Sequence, residues 1–199
     1  MSHWSITKSF EFCYGHRVHT QVVNPQLADD TRCACRHLHG HQGRVDVTLT
    51  SLVLENAMVL DFRNLEFLKH IIDRVFDHKM VLDTNDPLIR DLVPTPPASY
   101  ASCIPIVPLP LLASLHVNAS HVLPTLIHLM GSPAQQEMLE GLVFVPFVPT
   151  SENFAKFIYD IVVAKLNQVF APDADNPHPF YVSSVTFHET PKSYSTYYA

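Results

Sequence analysis

The sequence predicts an α+β domain with elements in the order strand, strand, helix, helix, strand, strand. Apolar and polar residues alternate near both ends of the chain, the period of a half-buried strand. Two stretches between them repeat apolar residues every three or four positions, the period of an amphipathic helix. With 199 residues and 47% hydrophobic content, the chain has enough apolar surface for one good-sized core.

Residues 4 to 13 alternate as a first strand, and residues 41 to 54 form a longer one that pairs with it antiparallel. Glu55-Asn56-Ala57 makes a turn into Met58-Val59-Leu60-Asp61. Asp61 caps a helix over Phe62 to Phe76, with Leu65, Phe67, Leu68, Ile71, Ile72 and Val75 on its apolar side. Asp77-His78 falls where that helix ends. Pro149 to Asn153 opens a second helix, N-capped by Thr150 or Ser151 and reaching about Val169. Its apolar face carries Phe154, Phe157, Ile158, Ile161, Val162 and Leu166. Tyr181 to Thr190 returns to strand, and Ser193 to Tyr198 is a last strand after the turn at Pro191.

Residues 91 to 148 interrupt this order and read as an insertion within a single domain spanning residues 1 to 199. Prolines crowd its first part. The apolar stretch from Leu111 to Met130 is broken by Ser114, His116, Asn118, His121 and Pro124, whereas a membrane span needs roughly 20 predominantly apolar residues. A short helix is expected over Gln135 to Leu142, and a strand or extended return over Val143 to Val148.

A formal charge of −6 argues against a nucleic-acid surface, which draws on clustered Lys and Arg. An anionic substrate must then find a local basic pocket. The N-terminal residues lack the basic and apolar regions of a secretory signal, so a cytoplasmic location is expected. Cys13, Cys33, Cys35 and Cys103 are too few and too unevenly spaced for a disulfide framework, and are expected as thiols.

The chemistry concentrates in Cys35-Arg36-His37-Leu38-His39-Gly40-His41. On a strand, His39 and His41 lie two apart and share one face, which makes half a zinc site. The first strand ends in His16, a third imidazole, and three His ligands leave the open position that catalytic zinc requires. His37 alternates in phase with the pair but is read, like His19, as a bystander on a loop or surface. A thiol beside a metal and cationic groups has a depressed pKa and is available as thiolate. The bland reading of Cys35 is a small buried hydrophobe.

Several segments together carry a specific resemblance: Phe12 to Arg17, the Cys-x-x-x-His-Gly-His run from Cys35 to His41, Met58 to Phe62, Asp77-His78, Pro149 to Asn153 and Glu189-Thr190. The chain resembles the 6-pyruvoyltetrahydropterin synthase superfamily over roughly residues 4 to 90 and 149 to 198. The three-residue gap between Cys35 and His39, with Arg36 after the cysteine, is most similar to its bacterial branch, the 6-carboxy-5,6,7,8-tetrahydropterin synthases of queuosine biosynthesis.

The resemblance implies the tunnelling fold, an antiparallel four-stranded sheet with two helices packed on one face. It implies Zn2+ held by His16, His39 and His41, with Cys35 as the base that takes a proton from the pterin side chain. Asp77 and His78 become a proton relay, and Glu189 the carboxylate that anchors the pterin. Thr150 and Ser151 match a pterin-contact segment, which helix capping explains almost equally well. The implied reaction converts 7,8-dihydroneopterin triphosphate to 6-carboxy-5,6,7,8-tetrahydropterin, acetaldehyde and triphosphate. The alternatives are a pyruvoyl-type triphosphate lyase, or a pterin-binding protein without catalysis. A homo-oligomer with active sites between subunits is also implied, with no nucleic-acid or membrane partner. Arg17, Arg36, Arg44, Lys79 and Lys192 are the basic candidates for the triphosphate. One departure is local: Gln42-Gly43 stands where the family has Asn or Ser and then a bulky residue, so Gly43 is expected to loosen the strand or mark a bulge.

Overall fold

The computed structural model describes residues 2–83, 85–88, 132–134, 137, 141–170 and 179–199. Its strands are β1 (Trp4–His16), β2 (His39–Ser51), β3 (Lys79–Asp83), β4 (Leu142–Val145), β5 (Phe180–Thr190) and β6 (Ser193–Tyr198). Helices α1 (Glu66–Ile71) and α2 (Ser151–Phe170) are described in full.

β1 and β2 pair antiparallel over their whole length, from Trp4 opposite Ser51 to His16 opposite His39. Alternation sorts the two faces. Phe10, Phe12 and Tyr14 of β1 and Val45, Val47 and Leu49 of β2 are buried, while Ser9, Glu11 and Cys13 between them are exposed. Both helices cover the buried face, and Phe76, in the turn that follows α1, packs on α2 with its ring 6.0 Å from Phe154 and 6.3 Å from Phe157. Phe154 also stacks on Phe187 of β5 at 4.6 Å, so α2 is seated on the sheet by aromatic contact. All six apolar residues expected on the inner face of α2 are buried. The opposite face of the sheet is polar and bears hydroxyl pairs such as Ser5 with Thr50 and Thr7 with Thr48.

The sheet has six strands in the order β4-β3-β1-β2-β5-β6, which corrects the expected four-stranded antiparallel arrangement. β3 runs parallel to both β1 and β4, so the sheet is mixed. The extra strands are short and nearly continuously apolar (Lys-Met-Val-Leu-Asp and Leu-Val-Phe-Val). Strands buried this way lack the two-residue alternation that reveals a half-exposed one. Leu142 to Val145 lies within the segment read as an insertion, most of which, including much of the helix expected over Gln135 to Leu142, falls outside the described residues.

The expected helix over Phe62 to Phe76 is three hydrogen-bonding patterns in series. A 3-10 turn over Phe62–Leu65 leads into α1, and a π turn over Ile72–Phe76 closes it. Asp61 caps the start by accepting from the Arg63 amide at 2.9 Å. Hydrogen bonds from the Arg63 side chain and amide pull the Asp61 carboxyl down to about 2. No helix among the described residues is long and apolar enough to cross a membrane.

Gly43 neither loosens its strand nor marks a bulge. It pairs in unbroken register with Phe12, and the shifts lie at Thr48/Leu49 and His188/Thr190. A Cβ on Gly43 would come within 2.9 Å of the Tyr14 ring. The glycine makes room for a buried tyrosine. Gly43→Val is therefore expected to cost about 1–3 kcal/mol, the usual penalty of overpacking, with much of it recovered when Tyr14→Ala is added. Urea unfolding of the single and double variants measures both, and a single variant as stable as the parent rejects the steric account.

Candidate metal centre and active site

The pairing of β1 with β2 sets His16 opposite His39, and the two-residue period brings His41 to the same face. Glu189 joins them from β5, at the register shift between His188 and Thr190. The four residues offer ligand atoms that all lie within 4.8 Å of one another.

Neighbouring carbonyls aim the imidazoles. His16 is fully buried, and its Nδ1 donates to the carbonyl of Pro149 at 2.6 Å. Nδ1 of His39 donates to the carbonyl of His37 at 2.8 Å. A proton held on Nδ1 leaves the Nε2 lone pair as the free donor. The Nε2 atoms of His16, His39 and His41 are all buried without a hydrogen-bond partner. Nε2 of His16 stands 3.2 Å from Oε1 of Glu189, and that of His41 stands 3.6 Å from it.

Buried polar atoms are normally paired, and leaving one unpaired costs about 1–3 kcal/mol. Three convergent orphans, two of them with the opposite ring nitrogen tied to a carbonyl, are what a metal ligand set looks like before the ion is added. Three imidazoles with a carboxylate beside them fit Zn2+ and other divalent ions of similar preference.

The electrostatics keep His41 in the ligating form. Burial pushes its imidazole below the ordinary value of 6.5, Glu189 works against that shift, and the two other histidines add to it. Glu189 is held below the usual carboxylate range, first by the His16 imidazole 3.2 Å away, while burial opposes. Burial, reinforced by Glu189, raises the Tyr14 phenol so that it stays protonated.

A group whose pKa is lowered by folding contributes stability above its unfolded value and loses it on acidification. The metal-free protein is expected to lose stability as pH falls below about 6.5, and bound metal, which excludes the proton, to delay that loss. Thermal melts between pH 5 and 8 with and without Zn2+ check it; parallel profiles count against ligation at His41.

Cys35 lies outside this four-residue cluster, on a 3-10 turn over Ala34–Arg36, as a half-exposed free thiol. Cys33 shares the turn, Cys13 is exposed on β1, and Cys103 lies outside the described residues. Asp77 and His78 form a pair in which Nδ1 of His78 lies 2.9 Å from Oδ2 of Asp77. The other carboxylate oxygen accepts from the Cys13 amide at 2.9 Å, and the His78 amide donates to the Cys13 carbonyl at 2.6 Å. Burial pulls the Asp77 carboxyl upward, but the Cys13 amide and the His78 ring together hold it below its ordinary value. His78 sits at a φ of 58°, a left-handed conformation, with its side chain 79% exposed. It lines an open groove of about 360 Å³ with Cys13, Gly15, Gln42 and Lys79, and His41 reaches the same groove. Cys35 is absent from its walls.

The model of the 6-pyruvoyl tetrahydropterin synthase family matches residues 5–199. The chain belongs to that family. It is 28% identical over 172 residues to the 6-carboxy-5,6,7,8-tetrahydropterin synthase of Aquifex aeolicus, covering 83% of this chain and 82% of the relative. Among solved structures, an uncharacterized protein of Wolinella succinogenes superposes with a TM-score of 0.78 at 35% identity, over 100% of this chain and 99% of that one. A 6-pyruvoyltetrahydropterin synthase of Plasmodium vivax superposes at 0.56 with 14% identity, over 100% and 99% of the two chains, a likeness of fold.

The remaining positions expected in this family member have structural partners. Thr150 caps α2 by accepting from the Asn153 amide at 3.4 Å, and Ser151 bonds Ser195 of β6 at 2.7 Å. Arg17 pairs with buried Asp86 at 3.1 Å, and Arg44 with Asp46 at 3.1 Å and His188 at 2.9 Å. Arg36 and Lys192 are exposed. His19 is held by Asp83 at 3.0 Å, and exposed His37 contributes its carbonyl to His39. Sequence reasoning missed the Pro149 carbonyl behind His16, because a backbone acceptor 133 residues away leaves no mark on the local pattern. It also missed Tyr14, which reads as an ordinary core position.

Proposed function

We propose that this family member is a zinc-dependent pterin triphosphate lyase. In this reading it converts 7,8-dihydroneopterin triphosphate and one water to 6-carboxy-5,6,7,8-tetrahydropterin, acetaldehyde and triphosphate, a step of queuosine biosynthesis. The observation that carries the proposal is the set of three buried, unpartnered Nε2 atoms of His16, His39 and His41. The name of the Aquifex relative supports the carboxy product.

His16, His39 and His41 hold the ion, which when bound supplies the Lewis acidity that makes an adjacent carbon-bound hydrogen of the substrate acidic. Cys35 takes that proton as thiolate. His78 returns a proton, oriented by the Asp77 carboxylate at its Nδ1. Glu189 accepts hydrogen bonds from the pterin ring N–H and amino group, a bidentate role suited to a carboxylate. Thr150 and Ser151 act on the site through structure: their hydroxyls hold the start of α2, and with it the Pro149 carbonyl behind His16. Arg36 and Lys192 are the exposed cations offered to the triphosphate.

Cys35 is absent from the groove of His78, and in this reading the two halves of the proton relay meet between neighbouring copies in a homo-oligomer. The left-handed backbone of His78 supports a functional role, since such a conformation costs a non-glycine residue about 1–2 kcal/mol. His78→Gly is expected to raise the melting temperature while turnover falls by about 10²–10⁴-fold. A variant that keeps its turnover removes His78 from the relay.

Incubating the Zn2+-loaded protein with 7,8-dihydroneopterin triphosphate and separating the products tests the whole reading. Acetaldehyde with the carboxy pterin is the expected outcome. A pyruvoyl pterin without acetaldehyde assigns the other product, and tight binding without turnover identifies a binding protein.

A further inference from the structure

If Cys35 is a base, it must be held in place, yet it sits in the irregular connection between β1 and β2. We propose that Gln21 is a positioning residue that clamps Cys35; the inference rests on the reading of Cys35 as the base. Both backbone groups of Cys35 are taken by one short turn. The Cys35 amide donates to Oε1 of Gln21 at 2.9 Å, and the Cys35 carbonyl accepts from the Val18 amide at 2.7 Å. Gln21 closes the turn by donating its own amide to the Val18 carbonyl at 3.0 Å.

That turn is anchored on both sides of Val18. Arg17 pairs with Asp86, whose side chain is fully buried, and His19 bonds Asp83, which is 4% exposed. The two carboxylates are fixed in turn: the Asp86 amide donates to the Asp83 carbonyl, the Asn85 amide to Oδ1 of Asp83, and the Leu88 amide to Oδ1 of Asp86. A series of hydrogen bonds and ion pairs thus runs from the end of β3 through residues 17–21 to the backbone of Cys35. Gln21 is half-buried, and its side-chain carbonyl is the one contact in this series that a single substitution removes without touching the anchors. Catalytic groups displaced by about 1 Å can lose on the order of 10²-fold in rate, so a two-point backbone clamp is a direct way to keep the thiol in register.

The test compares Gln21→Leu, which removes the acceptor, with Gln21→Glu, which keeps one, in the Zn2+-loaded full-length protein. Gln21→Leu is expected to speed hydrogen exchange at the Cys35 amide and to lower kcat by about 10- to 100-fold with KM and zinc content unchanged. Gln21→Glu restores slow exchange and most of kcat. Cys35→Ala is assayed in parallel. If Cys35→Ala is inactive while Gln21→Leu keeps both its kcat and slow exchange, the clamp is overturned; a rise in KM alone overturns it as well. If Cys35→Ala keeps full turnover, the base assignment fails instead, and the exchange rate in Gln21→Leu still reports whether the clamp exists.

Discussion

His39→Ala is expected to lose the metal and keep the fold. His39 stands at the start of β2, only partly buried, and its ring donates a hydrogen bond to the carbonyl of His37 two residues away. Removing it opens no core cavity. A complete four-ligand zinc site provides about 10–16 kcal/mol, so one imidazole carries roughly 3 kcal/mol, on the order of 10²-fold in Kd. His16→Ala is expected to do more, because His16 is fully buried and ties the end of β1 to the start of α2 through Pro149. That variant loses metal and melting temperature together. Metal content after dialysis against a chelator and thermal melts with and without Zn2+ separate the two effects. Undiminished zinc in both variants rejects the three-histidine centre.

Cys35→Ala is expected to show the converse: zinc and melting temperature unchanged, turnover lower by about 10²–10⁴-fold, the usual contribution of a positioned base. The structure separates the two outcomes, because Cys35 lies outside the cluster of His16, His39, His41 and Glu189 and on a turn without buried residues. Cys33→Ala is the control on the same turn and is expected to leave turnover intact. Equal losses in the two cysteine variants point to damage of the turn, and no loss in Cys35→Ala removes it from the mechanism.

The histidine triplet was legible because strand geometry is a strict ruler. Two residues along β2 return to the same face, so His39 and His41 had to converge, and a strand ending in His16 had one natural partner for its end. Capping at Asp61 and Thr150 was legible for a similar reason, since the cap bonds span only two or three residues. The inner face of α2 followed from its period. β3 escaped because a short apolar stretch carries no period, β4 was expected only as a strand or extended return over Val143 to Val148, and their parallel pairing between segments far apart in sequence has no local signature. Gly43 was misread for a related reason. Its small size answers the Tyr14 ring on the neighbouring strand, a relation across the pair that strand pattern alone does not encode.

By itself the sequence determined the α+β class, both long antiparallel strands of the β1–β2 pair, the helix faces and which three imidazoles converge, with a cysteine nearby in the sequence. Each of these depends on spacings of two, three or four residues, over which backbone geometry is nearly fixed. Only the tertiary structure decided which imidazole nitrogen is free, through the carbonyls of Pro149 and His37. It also brought Glu189 beside the histidines, placed His78 on a groove without Cys35, and bound Cys35 to Gln21. The Pro149, Glu189 and Gln21 contacts join groups far apart in the sequence. Long-range contacts form only when packing and hydrogen bonding offset the entropy of closing the intervening loops, and no local spacing records that balance.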